Sequence, residues 1–526
     1  MISPALLHLR LSFVFLLAAL LAPTAARADD LDEVRRGGVL RWGGDQEGGG
    51  PYIFPRDDQP SVVTGFEVDL AADLARRLGA RAEFVQGPWD RLPDLLRVRK
   101  IHIILNGYEL TPSHTAAMEA GQPYLGYGLQ LLARRGGPVH AWEDLRSARG
   151  HAGALTGSAA EGYLKRFCAD RCRVSSYDGS TDAMREVETG KLDATLQDTP
   201  IVSFYAPRFP RLVSVGEPVA PGSYVIYARK GQRRLIEALD GALDEARRDG
   251  SLERILRAYG LAGETPPAAT APATASAPAG AAAPAAASVT APAPAVAPEG
   301  AIRIGGRKRG WAVVEAYGEV LLRSAGLTVA LSLLSFPLAV GMGLLIALGR
   351  RYGPRPLRWG LGAWVELLRG TPLMLQLYFV FFVLPEVGVV IPAFWTGVLG
   401  LAVNYSAYEA EIYRAGLQAV PQGQVDAALA LGMSRAQAIR WVVLPQAIRT
   451  VIPPVVSDFI ALFKDTSVCS VITLVELTKR FSVLSQSTQA TLELMALTAL
   501  LYLLMSYPLA LLARRLEARL RPEEQR

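Results

Sequence analysis

The chain of 526 residues contains no Gly-x-x-x-x-Gly-Lys-[Ser/Thr] loop. It therefore does not bind ATP in the usual way, and any nucleotide chemistry it depends on belongs to another polypeptide. Cysteine is nearly absent, with three residues. Cys168 and Cys172 stand four apart, where a disulfide is plausible in an oxidising compartment. On a continuous helix the two side chains would lie too far apart for the bond, so a helix must end between them. Cys469 stands alone and reads as an apolar filler. A strong excess of one charge is also missing, the net charge being +6. The arginines cluster beside apolar runs and not on one soluble face, which argues against nucleic-acid binding. No metal-ligating or catalytic set emerges. Residues 263–299 lack almost everything but alanine, proline, threonine and serine. Their prolines forbid a continuous helix and give a semi-rigid linker leaning to polyproline II, reaching ~110 Å at ~3.1 Å per residue.

What is present divides into parts. Arg10, an apolar core over 11–21 and Ala25-Ala26-Arg27-Ala28 stand in the order of a secretory signal, expected over residues 1–28. Cleaved or kept as an anchor, it places residue 30 onward outside the cytoplasm. Residues 31–262 alternate strand and helix. Val39-Leu40-Arg41-Trp42 reads as a strand, 66–78 as a helix with Leu70, Leu74 and Leu78 on one stripe, and 82–85, 101–105 and 192–196 as further strands. This predicts an α/β domain with a mostly parallel sheet. Residues 316–520 form the third part, an all-α transmembrane domain. Uncharged stretches over 326–349, 387–408 and 494–513 are long enough to cross a bilayer. Two further crossings, near 359–384 and 448–468, must tolerate charges. Glu366 and Arg369, three apart, are expected to pair. Five spans with an exported N-terminus put Arg350, Arg351, Arg355 and Arg358 inside, and likewise the arginines at 414, 435, 440 and 449 and at 514–521, as the positive-inside rule requires. Arg307-Lys308-Arg309, on the expected outer side, runs against it.

Between two apolar spans lies a polar stretch, 423–445, longer than a turn needs. The segment 424–431 is rich in helix formers and Gly432 can close that helix. Ser434 with Gln437 makes a capping box for a second helix, which Pro445 is expected to bound. The result is a small knob on the cytoplasmic side. Its pattern, Asp426-Ala427-Ala428, Gly432, Val442, Leu444 and Pro445, resembles the coupling loop of ATP-binding-cassette importer permeases, with Asp426 where that family usually has Glu. Arg369-Gly370-Thr371-Pro372-Leu373, Ala407-Tyr408-Glu409-Ala410-Glu411 with Arg414, Leu444-Pro445-Gln446-Ala447 and Lys464-Asp465-Thr466-Ser467 are similar to the branch that imports polar amino acids. The resemblance implies that Gly423, Gln424, Asp426, Ala427, Ala428 and Gly432 engage a separate ATPase subunit, the ATP being bound there, with no cofactor on this chain. It also implies a homodimer through the permease, since five spans do not enclose a path.

Residues 31–262 in turn resemble the extracytoplasmic solute-binding proteins of polar amino acid importers. The likeness rests on Gly65-Phe66-Glu67-Val68-Asp69-Leu70-Ala71, Trp89-Asp90, Asn106-Gly107, Thr111-Pro112, Pro123-Tyr124, Gly157-Ser158 with Glu161, and Gln197-Asp198. It implies a two-lobed α/β periplasmic-binding-protein fold of type II with the ligand in the cleft. By that pattern Asp198 takes a solute ammonium, Trp89 is an aromatic wall, Asn106, Gly107 and Glu109 line the first lobe and Ser158 the second. Thr111 starts a helix whose free N–H groups favour an anion. Where the family has an arginine for the solute carboxylate, this chain has His114, and Gly48-Gly49-Gly50 replaces a region where many relatives place a stacking aromatic. A bidentate charged contact is lost, about 1.5 kcal/mol or more. The acidic residues Asp45, Glu47, Glu109 and Asp198 lean toward a cationic group on the solute.

The expected function is the receptor–permease subunit of an ATP-driven importer of polar amino acids in a bacterial inner membrane. An importer of a non-amino-acid or cationic solute is the nearest alternative. A ligand-gated channel would insert its pore within the lobes, and here the spans follow a contiguous receptor. A dehydratase on the same lobes, using Glu109 and His114, would be revealed by product formation.

Overall fold

The computed structural model describes residues 29–261 and 308–520 except 48, 57, 148 and 489. The signal at 1–28 and the linker at 263–299 lie outside the described residues, as does Arg307.

Eight strands of the first half form one sheet: β1 (Val39–Gly44), β2 (Arg81–Gln86), β3 (Ile103–Ile104), β4 (Met118–Arg134), β5 (His151–Leu155), β6 (Arg173–Tyr177), β7 (Ala194–Asp198) and β8 (Leu212–Arg229), in the order β2-β1-β3-β8-β4-β7-β5-β6. Alternation in Leu40 and Trp42 buries one face of β1. The helix α1 (Phe66–Arg77) buries Leu70 and Leu74 and is followed by Gly79 at φ +74°, as the stripe and the stop signal predict. The expected parallel pairing holds within each lobe, β2-β1-β3 on one side and β7-β5-β6 on the other. It fails between them. β4 and β8, of 17 and 18 residues, run antiparallel to each other through both lobes. One carries the chain out to the second lobe and the other returns it, so they meet in opposite directions. Four register shifts interrupt their ladder, between Val215 and Tyr227. Bulges of this kind bend a strand pair.

The short helix α2 (Pro112–Ala117) follows β3. The helix α3 (Ala159–Cys168) ends at the first exported cysteine, and Ala169 turns to φ +44°. Cys168 and Cys172 are disulfide-bonded with Cα atoms 4.9 Å apart. A further helix, α4 (Ser180–Thr189), closes against Gly190 at φ +82°.

The second half is helical: α5 (Trp311–Tyr352), α6 (Arg355–Gly370), α7 (Leu373–Tyr378), α8 (Ala393–Gln418), α9 (Gln422–Ala430), α10 (Arg435–Ala438), α11 (Leu444–Asp465), α12 (Leu477–Thr488) and α13 (Thr491–Leu520). Among the described residues α5 and α13 are long and apolar enough to cross a membrane by themselves. The crossing expected near 359–384 is broken: α6 and the helix after it are bent by 106°. The break falls at Thr371-Pro372, where proline supplies no N–H to continue the ladder. At 1.5 Å per residue α8 and α11 reach about 39 and 33 Å, but polar residues interrupt both. Glu366 and Arg369 do not form the expected pair; Arg369 lies over the Tyr408 ring, 5.7 Å from its centroid.

Small residues let α5 and α8 approach closely. A Cβ on Gly343 would lie 2.5 Å from Glu409 Cβ and 3.0 Å from the Ser406 carbonyl. Glu411 on α8 accepts from Arg414 Nε at 2.8 Å and pairs with Arg350 of α5, tying the two helices together. Beyond α8 the knob forms as its capping signals predict. Gly432 sits at φ +85°, Gln437 N donates to Ser434 Oγ at 3.3 Å, and Ser434 N donates to Gln437 Oε1 at 2.8 Å. Pro445 does not end the second helix. A π turn over Ile439–Val443 joins α10 to α11, and Pro445 falls in the first turn of α11, where its missing N–H is tolerated.

Glu67 ties α1 to the loop after β3. Its Oε1 accepts from Gly107 N at 2.8 Å and from the Tyr124 hydroxyl. Burial pushes its carboxyl up to about 8, against the lowering effect of those donors. An unfolded glutamate ionises near 4.5, so between pH 4.5 and 8 the native state holds the extra proton and loses stability as pH rises. Relative to Glu67→Gln, the native protein is therefore expected to fall in thermal midpoint across that window; a pH-independent difference would contradict it. In the permease, Gly343→Leu is expected to cost about 1–3 kcal/mol by overpacking, while Gly341→Leu, whose Cβ meets nothing within 4 Å, leaves the midpoint in detergent unchanged.

Candidate functional site

Loops at the carboxyl ends of the strands meet between the lobes around a cavity of ≈ 40 Å³. The first lobe contributes Asp45, Glu47 and Gly49 after β1, Trp89 after β2, and Asn106, Gly107 and Glu109 after β3. The second contributes Ser158 before α3, Asp178 and Ser180 around the start of α4, and Gln197 and Asp198 at the end of β7.

Each wall is set by local chemistry. Asp45 accepts from Glu47 N at 3.0 Å, Gln86 Nε2 at 2.7 Å and Trp89 N at 3.0 Å, so it orders both adjacent loops. Burial, then Glu47, pushes its carboxyl up. Trp89 donates Nε1–H to the Asn106 carbonyl at 2.9 Å and stacks on Tyr108, centroids 4.4 Å apart. Gly107 takes φ +59°, which turns the chain toward the cavity. Ser158 donates its hydroxyl to the Leu155 carbonyl at 2.7 Å and accepts from Glu161 N at 3.2 Å, capping α3.

Two acidic residues link the lobes. Glu109 Oε1 accepts from Ala159 N at 3.0 Å, across the cleft. Its other oxygen is buried without a hydrogen-bond partner, and burial, then Asp198, pushes its carboxyl up. Asp198 accepts from the Tyr224 hydroxyl, which also meets the Tyr52 hydroxyl at 2.7 Å. Gly50 N donates to the Tyr205 hydroxyl at 3.2 Å, again between lobes. The Gly50 α-carbon lies under the Phe204 ring, and a Cβ there would meet that ring at 2.1 Å.

Of the residues read from the sequence, Glu47, Trp89, Asn106, Gly107, Glu109, Ser158 and Asp198 come together around the cavity. Thr111 and His114 do not line it. Thr111 Oγ1 accepts from His114 N at 3.2 Å and caps α2. The His114 ring packs behind the wall against Tyr108, Tyr227 and Trp89, with Nδ1 3.0 Å from the Glu109 carbonyl. Its burial holds the imidazole below its ordinary range. The sequence reading missed Asp178 and Ser180, although Asp-Gly-Ser between a strand and a helix is a usable signal. It also missed Tyr52 and Tyr224, whose meeting depends on the crossover strands.

The receptor sits on the outer connections of the permease. Tyr378 donates to Asp94 Oδ2 at 3.0 Å, and Lys100 Nζ donates to the Ile391 carbonyl at 2.6 Å. The helix α12 meets both lobes: Ser487 Oγ donates to the Gln46 carbonyl at 3.4 Å, Gln486 Nε2 to Asp182 Oδ2 at 3.1 Å, and Lys479 Nζ lies 2.9 Å from Glu47 Oε1. Among the described residues no hydrogen bond or ion pair joins the knob to the receptor. Gly423, Gln424, Asp426, Ala427 and Gly432 are exposed, Ala428 is buried, and Leu431 is 82% exposed.

Residues 339–522 match the family described as binding-protein-dependent transport system inner membrane component, and residues 42–262 match bacterial extracellular solute-binding proteins, family 3. A probable amino-acid ABC transporter permease protein of Sinorhizobium fredii, y4tG, is 36% identical over 195 residues, which cover 37% of this chain and 84% of that protein. The L-cystine transport system permease protein TcyB of Bacillus subtilis is 37% identical, covering 32% and 73%. The glutamine transport system permease protein GlnP of Escherichia coli is 32% identical, covering 40% and 97%. An ancestral arginine-binding protein solved with arginine is 27% identical with a TM-score of 0.39, covering 42% of this chain and 96% of that one. The chain belongs to the inner-membrane permeases of binding-protein-dependent ABC transporters, among the amino-acid permeases, and carries its own family 3 solute-binding domain ahead of the membrane helices.

Proposed function

We propose that this chain captures an amino acid outside the inner membrane and passes it through its own permease when a separate ATPase drives it. The observation that carries this reading is one of placement. The cavity rests on the outer connections of the permease, while an exposed two-helix knob projects from helix ends that the span order puts on the other side. An amino acid is named because the permease relatives are amino-acid permeases.

In this reading residues 1–28 export the receptor at 31–262, residues 263–299 tether it, and 316–520 are the permease with five crossings. Glu47, Trp89, Asn106, Gly107, Glu109, Ser158 and Asp198 hold the solute, Asp198 and Glu109 facing its cationic group. Five carboxylates, Asp45, Glu47, Glu109, Asp178 and Asp198, line the cavity, and no receptor Lys, Arg or His does. This favours a solute that is itself cationic. Thr111 and His114 act from behind the wall. The tether raises the effective concentration of receptor at the outer mouth. ATP hydrolysis belongs to a partner subunit that seats Gly423, Gln424, Asp426, Ala427, Ala428 and Gly432 in a groove. Leu431, exposed beside them, supplies an apolar anchor. A second copy of the chain completes the path, giving a homodimer.

Asp426→Arg is expected to abolish uptake and solute-stimulated ATP hydrolysis while leaving solute binding intact; normal uptake by that variant would refute the coupling role. Asp198→Asn should weaken arginine binding by about tenfold or more, the loss of one charge-assisted hydrogen bond, as measured by equilibrium binding to the full-length protein. Unchanged affinity would remove Asp198 from the site.

A further inference from the structure

We infer that Lys479 of the permease is a built-in competitor for the acidic cluster at the receptor's cavity, pairing with Glu47 when the closed receptor is docked, weakening the hold on a cationic solute and so driving that solute out toward the membrane. This inference rests on the importer reading above and gives its solute release a residue.

The charged residues of the cavity wall built by the receptor are all acidic, Asp45, Glu47, Glu109, Asp178 and Asp198, with no receptor cation among the described lining residues. The one ammonium that reaches this cluster among the described residues comes from the other half of the chain. Lys479 Nζ lies 2.9 Å from Glu47 Oε1, and both side chains are only 9% exposed. Docking contacts between proteins usually keep their charges on a wet rim, where an ion pair costs little to form. Burying a lysine and a glutamate together costs several kcal/mol in desolvation unless further charges compensate. Here they do. Burial lowers the Lys479 pKa, but Asp45 and Glu47, with Asp178 beyond them, outweigh it and raise the value overall, so the side chain stays charged.

The lysine is held in place from behind. It stands in the first turn of α12, where Glu476 accepts from Thr478 N at 2.8 Å and Lys479 N at 2.7 Å, and Tyr502 donates to the same carboxylate at 3.2 Å. The far end of α12 touches both lobes, Ser487 reaching Gln46 in the first and Gln486 reaching Asp182 in the second. A helix that bridges the two lobes delivers its lysine to Glu47 only when the lobes are near one another and seated on the permease. Two like charges cannot share one desolvated carboxylate cluster without strong repulsion. A cationic solute is therefore weakened at the moment of docking, whereas a solute with a neutral side chain is affected less.

The test measures equilibrium binding of arginine and glutamine to the full-length protein in nanodiscs, in wild type, Lys479→Met and Lys479→Arg. Lys479→Met keeps the apolar stem and removes the charge. It is expected to bind arginine about tenfold more tightly than wild type, with glutamine changed by less than about threefold, while Lys479→Arg behaves as wild type for both. Uptake of arginine by Lys479→Met with the ATPase present should be slower despite the tighter binding, because release is impaired. Unchanged or weaker arginine binding in Lys479→Met overturns the inference and leaves the importer reading standing. An equal change for both probes, or the same change in Lys479→Arg, shows a docking contact only and also overturns it. Failure of every variant to bind either probe overturns the solute reading and this inference with it. Thermal midpoints of the three proteins, expected to agree within a few degrees, separate these outcomes from misfolding.

Discussion

Carboxylates are costly to bury, and the cleft is organised around that cost. A carboxylate taken out of water loses several kcal/mol of hydration unless donors or cations replace it. Asp45 is satisfied by three N–H groups from two loops, so its burial orders the first lobe's side of the cavity. Glu109 is satisfied on one oxygen only, by an N–H of the other lobe, and keeps its second oxygen buried without a partner. Asp198 leans on a tyrosine hydroxyl. The closed cleft thus retains an unmet demand for positive charge at Glu109, while Lys479 meets Glu47 at its edge.

The same economy shapes the permease in the opposite medium. Lipid gives no hydrogen bonds, so charged side chains there must pair or face protein. Glu411 gathers Arg350 and Arg414, and Arg369 lies on the face of Tyr408. Glycine at 343 lets α5 and α8 close to a distance no larger side chain allows. Irregular backbone interrupts two of the helices: the 106° bend after α6 and the π turn ahead of Pro445.

Much of this was legible because it is local. Gly432 in the left-handed region and the Ser434–Gln437 capping box follow from chemistry within a few residues. So do α1, its glycine stop and the end of α3 between two bonded cysteines. The candidate residues came from motif order, Glu47 from its acidity alone, and seven of the nine line one cavity. Thr111 starts α2 as read, but neither it nor His114 lines the cavity, because motif order gives proximity along the chain and not the direction a side chain takes; the Glu109 carbonyl and three aromatic rings draw His114 behind the wall. The crossing expected near 359–384 carries a bend because apolar content does not register the backbone break that Gly370-Thr371-Pro372 imposes.

The amino-acid sequence alone determined the order of parts, the two-helix knob, the alternation of strands and helices, and the acidic character of the cleft residues, since each depends on neighbours within one or two turns. Tertiary structure decided the rest. The antiparallel crossover of β4 and β8, the Tyr52–Tyr224–Asp198 chain and the meeting of Lys479 with Glu47 join residues far apart in sequence. Such contacts form only after loop-closure entropy has been overcome by the packing of whole lobes and helices, and no pattern along the chain records that balance.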